Sequence, residues 1–425
     1  MDYKINKKRK TGVDILFVFG LFIIIYNPPI LMINTMHLVG FVSLLYFVIV
    51  GGVKRLFIVK KNTLKLLSGF LAIFFYLLVF ACFINEQSIS TILFPIYFVI
   101  DVIPFGFAMK EYMERNSLDF GWSVSIIINT ALLQAVTAIA SFLIPNVQRF
   151  FVERMVAYGY NEVYTTLSSY RMYGFSNALT NATPVVQSII AVISVWHALR
   201  YSKKYYLYAL VLMLSAVINA RISIVVFAIG IVILMINRTT SITRKLKIVF
   251  IAFIAYFVII AFILPMIQSV SPLTYEWVTD GFSELSSFKI GVTSYEKNSY
   301  FGYLLNKERF ALPEGFFPFL FGKGYSIMSS KNPSGFQSDV GYVCDLWTGG
   351  LMYVILLYSF FLGLLNRLRK NQNSLISFIA IYYIVALLFI NIKGVALSMN
   401  AFVNLLVIVV CISMTEYQRG EMKYD

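Results

Sequence analysis

Arg171, Arg221, Arg309, Lys297 and Asp339 are the side chains of this sequence whose type and placement suit chemistry on an anion. Arginine presents a planar fork that grips phosphate with two hydrogen bonds and keeps its charge at any physiological pH. Arg171 lies in PNVQRFFVERMVAYGYNEVYTTLSSYRMYGFSNALTNATP, beside Arg149, Arg154, Glu153, Glu162 and many tyrosines and phenylalanines. An interfacial helix with an aromatic belt explains those tyrosines, but it does not explain three arginines. Arg221 follows Asn219-Ala220 and opens the apolar run RISIVVFAIGIVILMI. A charge at such a boundary either snorkels to the headgroups or holds an anion there.

Arg309 and Lys297 come from a polar insert over residues 265–345, which also carries Glu276, Asp280, Glu284, Glu296, Glu308, Glu314, Asp339 and Asp345. Asp339, in QSDVGY, stands a few residues before the next apolar run. Two roles suit it: a desolvated carboxylate that takes a proton, or a helix N-cap, for which Ser338 and Asp345 are equally suited. Gly322-Lys323-Gly324 lets backbone amides approach an anion but lacks the longer phosphate-loop spacing. The two histidines, His37 and His197, both lie outside the long polar segments, so no histidine-based metal site or base is expected there. Cys82, Cys344 and Cys411 have neither metal-ligand spacing nor a disulfide framework. No metal and no cofactor is expected. Asp101, in YFVIDVIPFGF with Pro104, is read as a bend near the inner interface, with a proton relay as the alternative.

The elements that must position these residues are set by composition. The chain is 425 residues long, 59% hydrophobic and 13% charged, with a mean hydropathy of +0.78. A soluble domain is about half apolar and a quarter charged. The apolar runs are continuous rather than alternating, which predicts helices and excludes a membrane barrel. Twelve spans are expected, at 13–33, 36–53, 63–84, 89–109, 120–144, 182–199, 204–219, 222–236, 247–265, 346–365, 375–391 and 396–415. The expected architecture is thus an all-α polytopic membrane protein, one integral membrane domain over 1–425. It has an outer loop at 145–181 and a large one at 265–345 between helices 9 and 10.

Charge sorts the loops. With the N-terminus cytoplasmic, 24 of the 35 Lys and Arg lie inside with 9 of the 20 acidic residues, a net +15. Outside, 11 basic and 11 acidic residues cancel. The positive-inside rule therefore places both termini in the cytoplasm and both long loops outside. It also accounts for the pI near 9.5 without nucleic acid. The basic N-terminus followed by an apolar run with no small-residue cleavage site reads as a start-transfer helix. No period of 20–50 residues repeats, and the two halves differ, which counts against a repeat-built transporter.

Arg171-Met-Tyr-Gly174-Phe-Ser-Asn177, Asn219-Ala220-Arg221-Ile-Ser and Leu320-Phe-Gly322-Lys-Gly324-Tyr followed by Ser338-Asp339-Val-Gly341-Tyr, in this order and on this side of the membrane, resemble the O-antigen and capsular polysaccharide polymerases (Wzy type) and the related O-antigen ligases. The resemblance covers roughly residues 145–365. It implies a GT-C-like glycosyltransferase of the bacterial cytoplasmic membrane that handles undecaprenyl-diphosphate-linked oligosaccharide at its outer face. Carried over by motif, Arg171 and Arg221 bind the diphosphate. Arg309 or Lys297 is added from charge and position alone, and Asp339 as the group that activates the acceptor hydroxyl. Implied partners are the lipid-linked oligosaccharide, the bilayer, and a chain-length regulator and flippase of the same pathway. The large loop lacks the histidine associated with the ligases, which favours polymerase over ligase. A non-enzymatic flippase or exporter predicts charges deep in several spans and loops of similar length, and neither is seen.

Overall fold

A computed structural model describes residues 11–29, 34–51, 61–81, 89–157, 171–177, 182–237, 241–287, 307–325, 327, 334–397 and 400–421. Among them there is no β-strand. The helices are α1 Thr11–Tyr26, α2 Thr35–Gly51, α3 Lys61–Ala81, α4 Ile89–Tyr97, α5 Ile103–Arg115, α6 Phe120–Leu143, α7 Pro145–Ala157, α8 Ala182–Ala198, α9 Lys204–Val217, α10 Ile222–Ile236, α11 Ile242–Val258, α12 Leu264–Val270, α13 Pro272–Ser287, α14 Phe316–Phe321, α15 Gly341–Arg369, α16 Ser374–Ile390 and α17 Ala401–Glu421. Two five-residue π-helical turns, Phe98–Val102 and Ile259–Ile263, join α4 to α5 and α11 to α12. Five helical stretches are long and apolar enough to cross a membrane: Thr63–Phe80, Thr91–Arg115, Phe120–Leu143, Ile242–Val270 and, interrupted at Gly350, Gly341–Arg369.

Two helices form the centre of the bundle. Every residue from Thr183 to Ala198 of α8 is buried, and so is α17 from Ala401 to Ser413. A helix that is apolar all round has no face to give to water, and these two are sheathed by the others. One polar group of each reaches across to a carbonyl of a neighbouring helix. Gln187 Nε2 donates to Ala131 O at 3.1 Å, Asn404 Nδ2 to Ile24 O at 2.7 Å, and from α16 Tyr382 OH to Val226 O at 2.7 Å. Such bonds replace the water that a hydrophobic interior lacks. At the periphery α11 leaves Phe250, Phe253 and Phe257 exposed, at 61–68%, the pattern of a helix facing hydrocarbon.

The structure differs from the sequence expectations at three places. The rod begun by α11 runs through the π turn to Val270, past the expected loop start, because Pro265 falls in the first turn of α12, where its missing N–H is tolerated. Asp101 lies in the other π turn. Its carboxylate is buried and hydrogen-bonded to His37 Nδ1 at 2.8 and 2.9 Å, a pairing the sequence did not indicate.

The third place is α15, which is broken at Gly350 (φ 72°, ψ −175°). Asp345 and Tyr358, thirteen residues apart, would be about 20 Å apart along a straight helix. Here Tyr358 OH donates to Asp345 Oδ2 at 3.0 Å, and the Tyr342 and Tyr358 rings stack at 5.7 Å. The break frees carbonyls, and each finds a donor: Lys323 N–H bonds Trp347 O at 2.7 Å, Gly324 N–H bonds Thr348 O at 3.2 Å and Tyr76 OH bonds Gly349 O at 2.7 Å. The Lys323 and Gly324 amides thus serve the broken helix, and the Gly322 amide the last turn of α14, rather than cradling an anion. The contact is backbone on backbone. A Cβ on Gly322 would lie 2.6 Å from Gly349 N, and one on Gly350 would overlap the Leu320 carbonyl and the Phe321 nitrogen.

Candidate functional site

Arg171 begins an irregular strip, residues 171–177, stitched to the ends of two helices. Gln134 Nε2 of α6 donates to Tyr173 O at 2.7 Å, and Tyr26 O at the end of α1 accepts from Asn177 N at 2.9 Å and Ser176 Oγ at 3.3 Å. Gly174 has φ +60°, and a Cβ there would stand 2.7 Å from Ala138 N and 2.8 Å from Thr137 Oγ1. The strip lies flat on α6 because its fourth residue has no side chain, and that fixes where Arg171 emerges.

Arg221 is placed by a tight turn between α9 and α10. Asn219 is buried and its Nδ2 donates to Ser215 O at 2.8 Å, holding the last turn of α9 closed. The Arg221 side chain does not reach outward to solvent. Its Nε donates to the Trp277 carbonyl at 2.9 Å, Nη2 donates to the same oxygen, and the guanidinium carbon lies 5.1 Å from the centre of the Trp277 ring. Arg171 shares that indole, at 5.2 Å. The two guanidinium carbons are therefore no farther apart than the sum of those distances. Trp277 belongs to α13, so the insert supplies the platform on which both arginines rest.

Arg309, at a 3-10 turn over Lys307–Phe310, forms an ion pair with Asp339 at 2.5 Å. Its backbone is fixed as well: Ser338 Oγ donates to Arg309 O at 2.8 Å and accepts from Val340 N at 3.1 Å. Burial lowers the Arg309 pKa, with Asp339 acting in the opposite sense. The N-cap position of α15 is Val340, which makes no side-chain cap bond, so Asp339 is an ion-pair partner and not a cap. Its side chain is 26% exposed.

A fifth residue joins these four. Lys393 lies in the loop after α16, held to the start of α15 by the buried Asn391, whose carbonyl accepts from Gly341 N at 2.8 Å and whose Oδ1 accepts from Ala396 N at 2.9 Å. Burial pushes the Lys393 ammonium down to about 8; Asp339 counteracts this, and Arg171, Arg309 and Arg221 repel it further. Those interactions gather Arg171, Arg221, Arg309, Lys393 and Asp339, contributed by five separate stretches, into one cluster of four cations and one carboxylate. Four cations brought together in a partly desolvated place can hold an anion. At an effective dielectric of 20, two charges 10 Å apart repel by about 1.7 kcal/mol.

Other candidates fall elsewhere. Arg149 and Arg154 are exposed on α7, Arg154 lying 5.5 Å from the Phe150 ring. Glu276, Asp280 and Glu314 are exposed, and Asp345 is buried against Tyr358. Lys297, Glu162 and Glu296 lie outside the described residues. Lys393 and Trp277 were not singled out from sequence. The signal for Lys393 was present, because it is a lysine in a short loop on the side where short loops otherwise lack lysine. Trp277 gave none, since an aromatic near an interface has a common structural role.

Lys393 gives a pH prediction. Below about pH 8 its ammonium is charged; as pH rises through 8 the charge is lost, so anion affinity falls. Sulfate, whose own charge is constant here, should bind the purified protein on the order of tenfold more weakly at pH 9 than at pH 7, the worth of one charge-assisted contact of about 1.5 kcal/mol. Lys393→Met should flatten the profile in titration calorimetry. An unchanged slope in that variant removes Lys393 from the site. No protein-family model matches the chain, and no curated protein matches it.

Proposed function

We propose that this chain is a membrane glycosyltransferase that joins undecaprenyl-diphosphate-linked oligosaccharide repeat units into surface polysaccharide, at the outer face of the bacterial cytoplasmic membrane. The observation that carries this reading is the cluster of Arg171, Arg221, Arg309 and Lys393 around Asp339, at one end of an apolar helical bundle. A charged group on a lipid arrives at just such a place, with its head at the end of the helices and its tail in hydrocarbon. The five membrane-length stretches are accompanied by seven shorter apolar helices, which supports a chain that crosses the bilayer many times. Alternating them from a cytoplasmic N-terminus puts the cluster outside and both termini inside.

In this reaction the bond between the anomeric carbon of the growing chain and its diphosphate oxygen breaks, and the acceptor hydroxyl of an incoming lipid-linked unit forms the new glycosidic bond. The diphosphate carries two negative charges while it is esterified at both ends, and it gains a third on the oxygen that leaves. Arg171, Arg221, Arg309 and Lys393 stabilise the charge that develops on the leaving oxygen, which preorganised cations do at no reorganisation cost. Asp339 orients the hydroxyl and takes its proton, and the Arg309 contact fixes the carboxylate in place. Trp277 holds Arg171 and Arg221 at the spacing the leaving group needs.

Deleting the gene tests the reading at the level of the cell. Loss of the long-chain ladder on a surface-glycan gel, with single repeat units still attached, is the expected result. Free lipid-linked polymer would identify a ligase instead, and repeat units trapped on the inner face a flippase.

A further inference from the structure

Four large apolar side chains stand exposed in a short stretch outside the apolar helices: Phe310 at 42%, Leu312 at 54%, Phe316 at 80% and Phe317 at 54%. Exposed apolar patches of this kind mark a surface that meets something other than water. What it meets is indicated by where the stretch ends. Phe321, the last residue of α14, stacks on Phe80 with ring centres 4.9 Å apart and planes 17° apart, and Phe317 packs on Phe321 at 4.8 Å. Phe80 is the last residue of the membrane-length stretch Thr63–Phe80. That helix exposes Leu71, Phe75, Leu78 and Val79 on its outer face. The apolar face of residues 310–321 therefore continues the face by which α3 meets lipid, at the level where that helix leaves the hydrocarbon.

Both ends of the stretch are fastened, by the Arg309–Asp339 ion pair on one side and by the Gly322–Gly324 contact with the break in α15 on the other. Between them Pro313 is buried and Glu314 exposed at the turn before α14, where Gly315 takes φ +92°. A polar turn thus stands next to an aromatic face, as in segments lying in the plane of a membrane surface.

We propose that Phe310–Phe321 is a membrane-interface anchor, with Phe316 and Phe317 inserted among the acyl chains of the leaflet at this end of the bundle. Its partner is a phospholipid surface, recognised by apolar area and aromatic rings at headgroup depth. The anchor ties one wall of the cation cluster to the bilayer and does not depend on which reaction the cluster serves.

The experiment places a nitroxide at Phe316→Cys, Phe317→Cys or Glu314→Cys, in the full chain with Cys82, Cys344 and Cys411 replaced by alanine, reconstituted in phosphatidylcholine vesicles. Power-saturation spectroscopy then compares collision with oxygen and with a water-soluble nickel chelate. Labels at 316 and 317 should favour oxygen several-fold and the label at 314 the chelate. Preference for the chelate at 316 and 317 would put the stretch in water, and shielding from both reagents would mean a protein neighbour; either overturns the anchor. Should the cysteine-free background fail to fold, brominated phosphatidylcholine should quench Phe316→Trp more strongly than wild type, and equal quenching overturns it.

Discussion

On the proposed function, Arg221→Ala should abolish polymer formation while leaving the protein in the membrane, and Arg171→Ala should do the same. Removing one preorganised donor to a developing oxyanion costs on the order of 10²–10³ in rate, about 3–4 kcal/mol. Both arginines lie over one indole, so they form a coupled unit. The double variant should fall short of the product of the single effects, as residues that act together do. Lysine is a poor replacement here: it keeps the charge but loses the planar stack on Trp277 and the paired contact with the Trp277 carbonyl. Arg221→Lys should therefore lie between wild type and Arg221→Ala. The measurement is transfer between purified lipid-linked repeat units, with membrane levels checked by immunoblot. Wild-type chain length in both alanine variants would remove these residues from the site.

Gly350→Ala carries the second large effect, and it acts on stability. At φ 72° and ψ −175° the backbone is in a region open almost only to glycine, costing about 1–3 kcal/mol for other residues. The added methyl group also meets backbone atoms of Leu320 and Phe321, which cannot rotate away, and overpacking of this kind adds about 1–3 kcal/mol. Against a typical total of about 5–15 kcal/mol, this is a large loss. A marked drop in melting temperature, or no folded protein in detergent, is expected. Gly363, in the same helix, is the control: nothing lies within 4 Å of a Cβ built there, and alanine should be neutral or up to about 1 kcal/mol stabilising. Equal melting of the two variants would mean that the break in α15 is not required.

The apolar helices were legible in the sequence because hydrocarbon leaves the backbone no other way to satisfy itself, so each long run declares its structure locally. Arg171 and Arg221 were legible for a related reason. Where arginine is excluded by topology, the exceptions stand out. The break at Gly350 was not legible, since Gly349-Gly350 in an apolar run fits close helix packing as well as a turn, and the difference lies in Leu320 and Phe321, some thirty residues away. Asp339 likewise offered two roles until its partner was known, and that partner, Arg309, is thirty residues upstream. Asp101 presented the same difficulty with His37. Pairings of this range are set by packing between elements, about which periodicity within an element is silent.

The burial of α8 on every side has a consequence for biogenesis. This helix carries Thr183, Gln187, Ser188, Ser194 and His197, polar groups that hydrocarbon tolerates poorly until neighbours receive them. One of the helices that covers it, α17, is made well after it, and Asn404 of α17 also ties to Ile24 of α1 across 380 positions. The ring of helices thus closes only once α17 has been made, leaving that flank of α8 open until then. Chains stopped before Ala401 should keep that flank open, leaving the polar groups of α8 on that side without the neighbour that covers them.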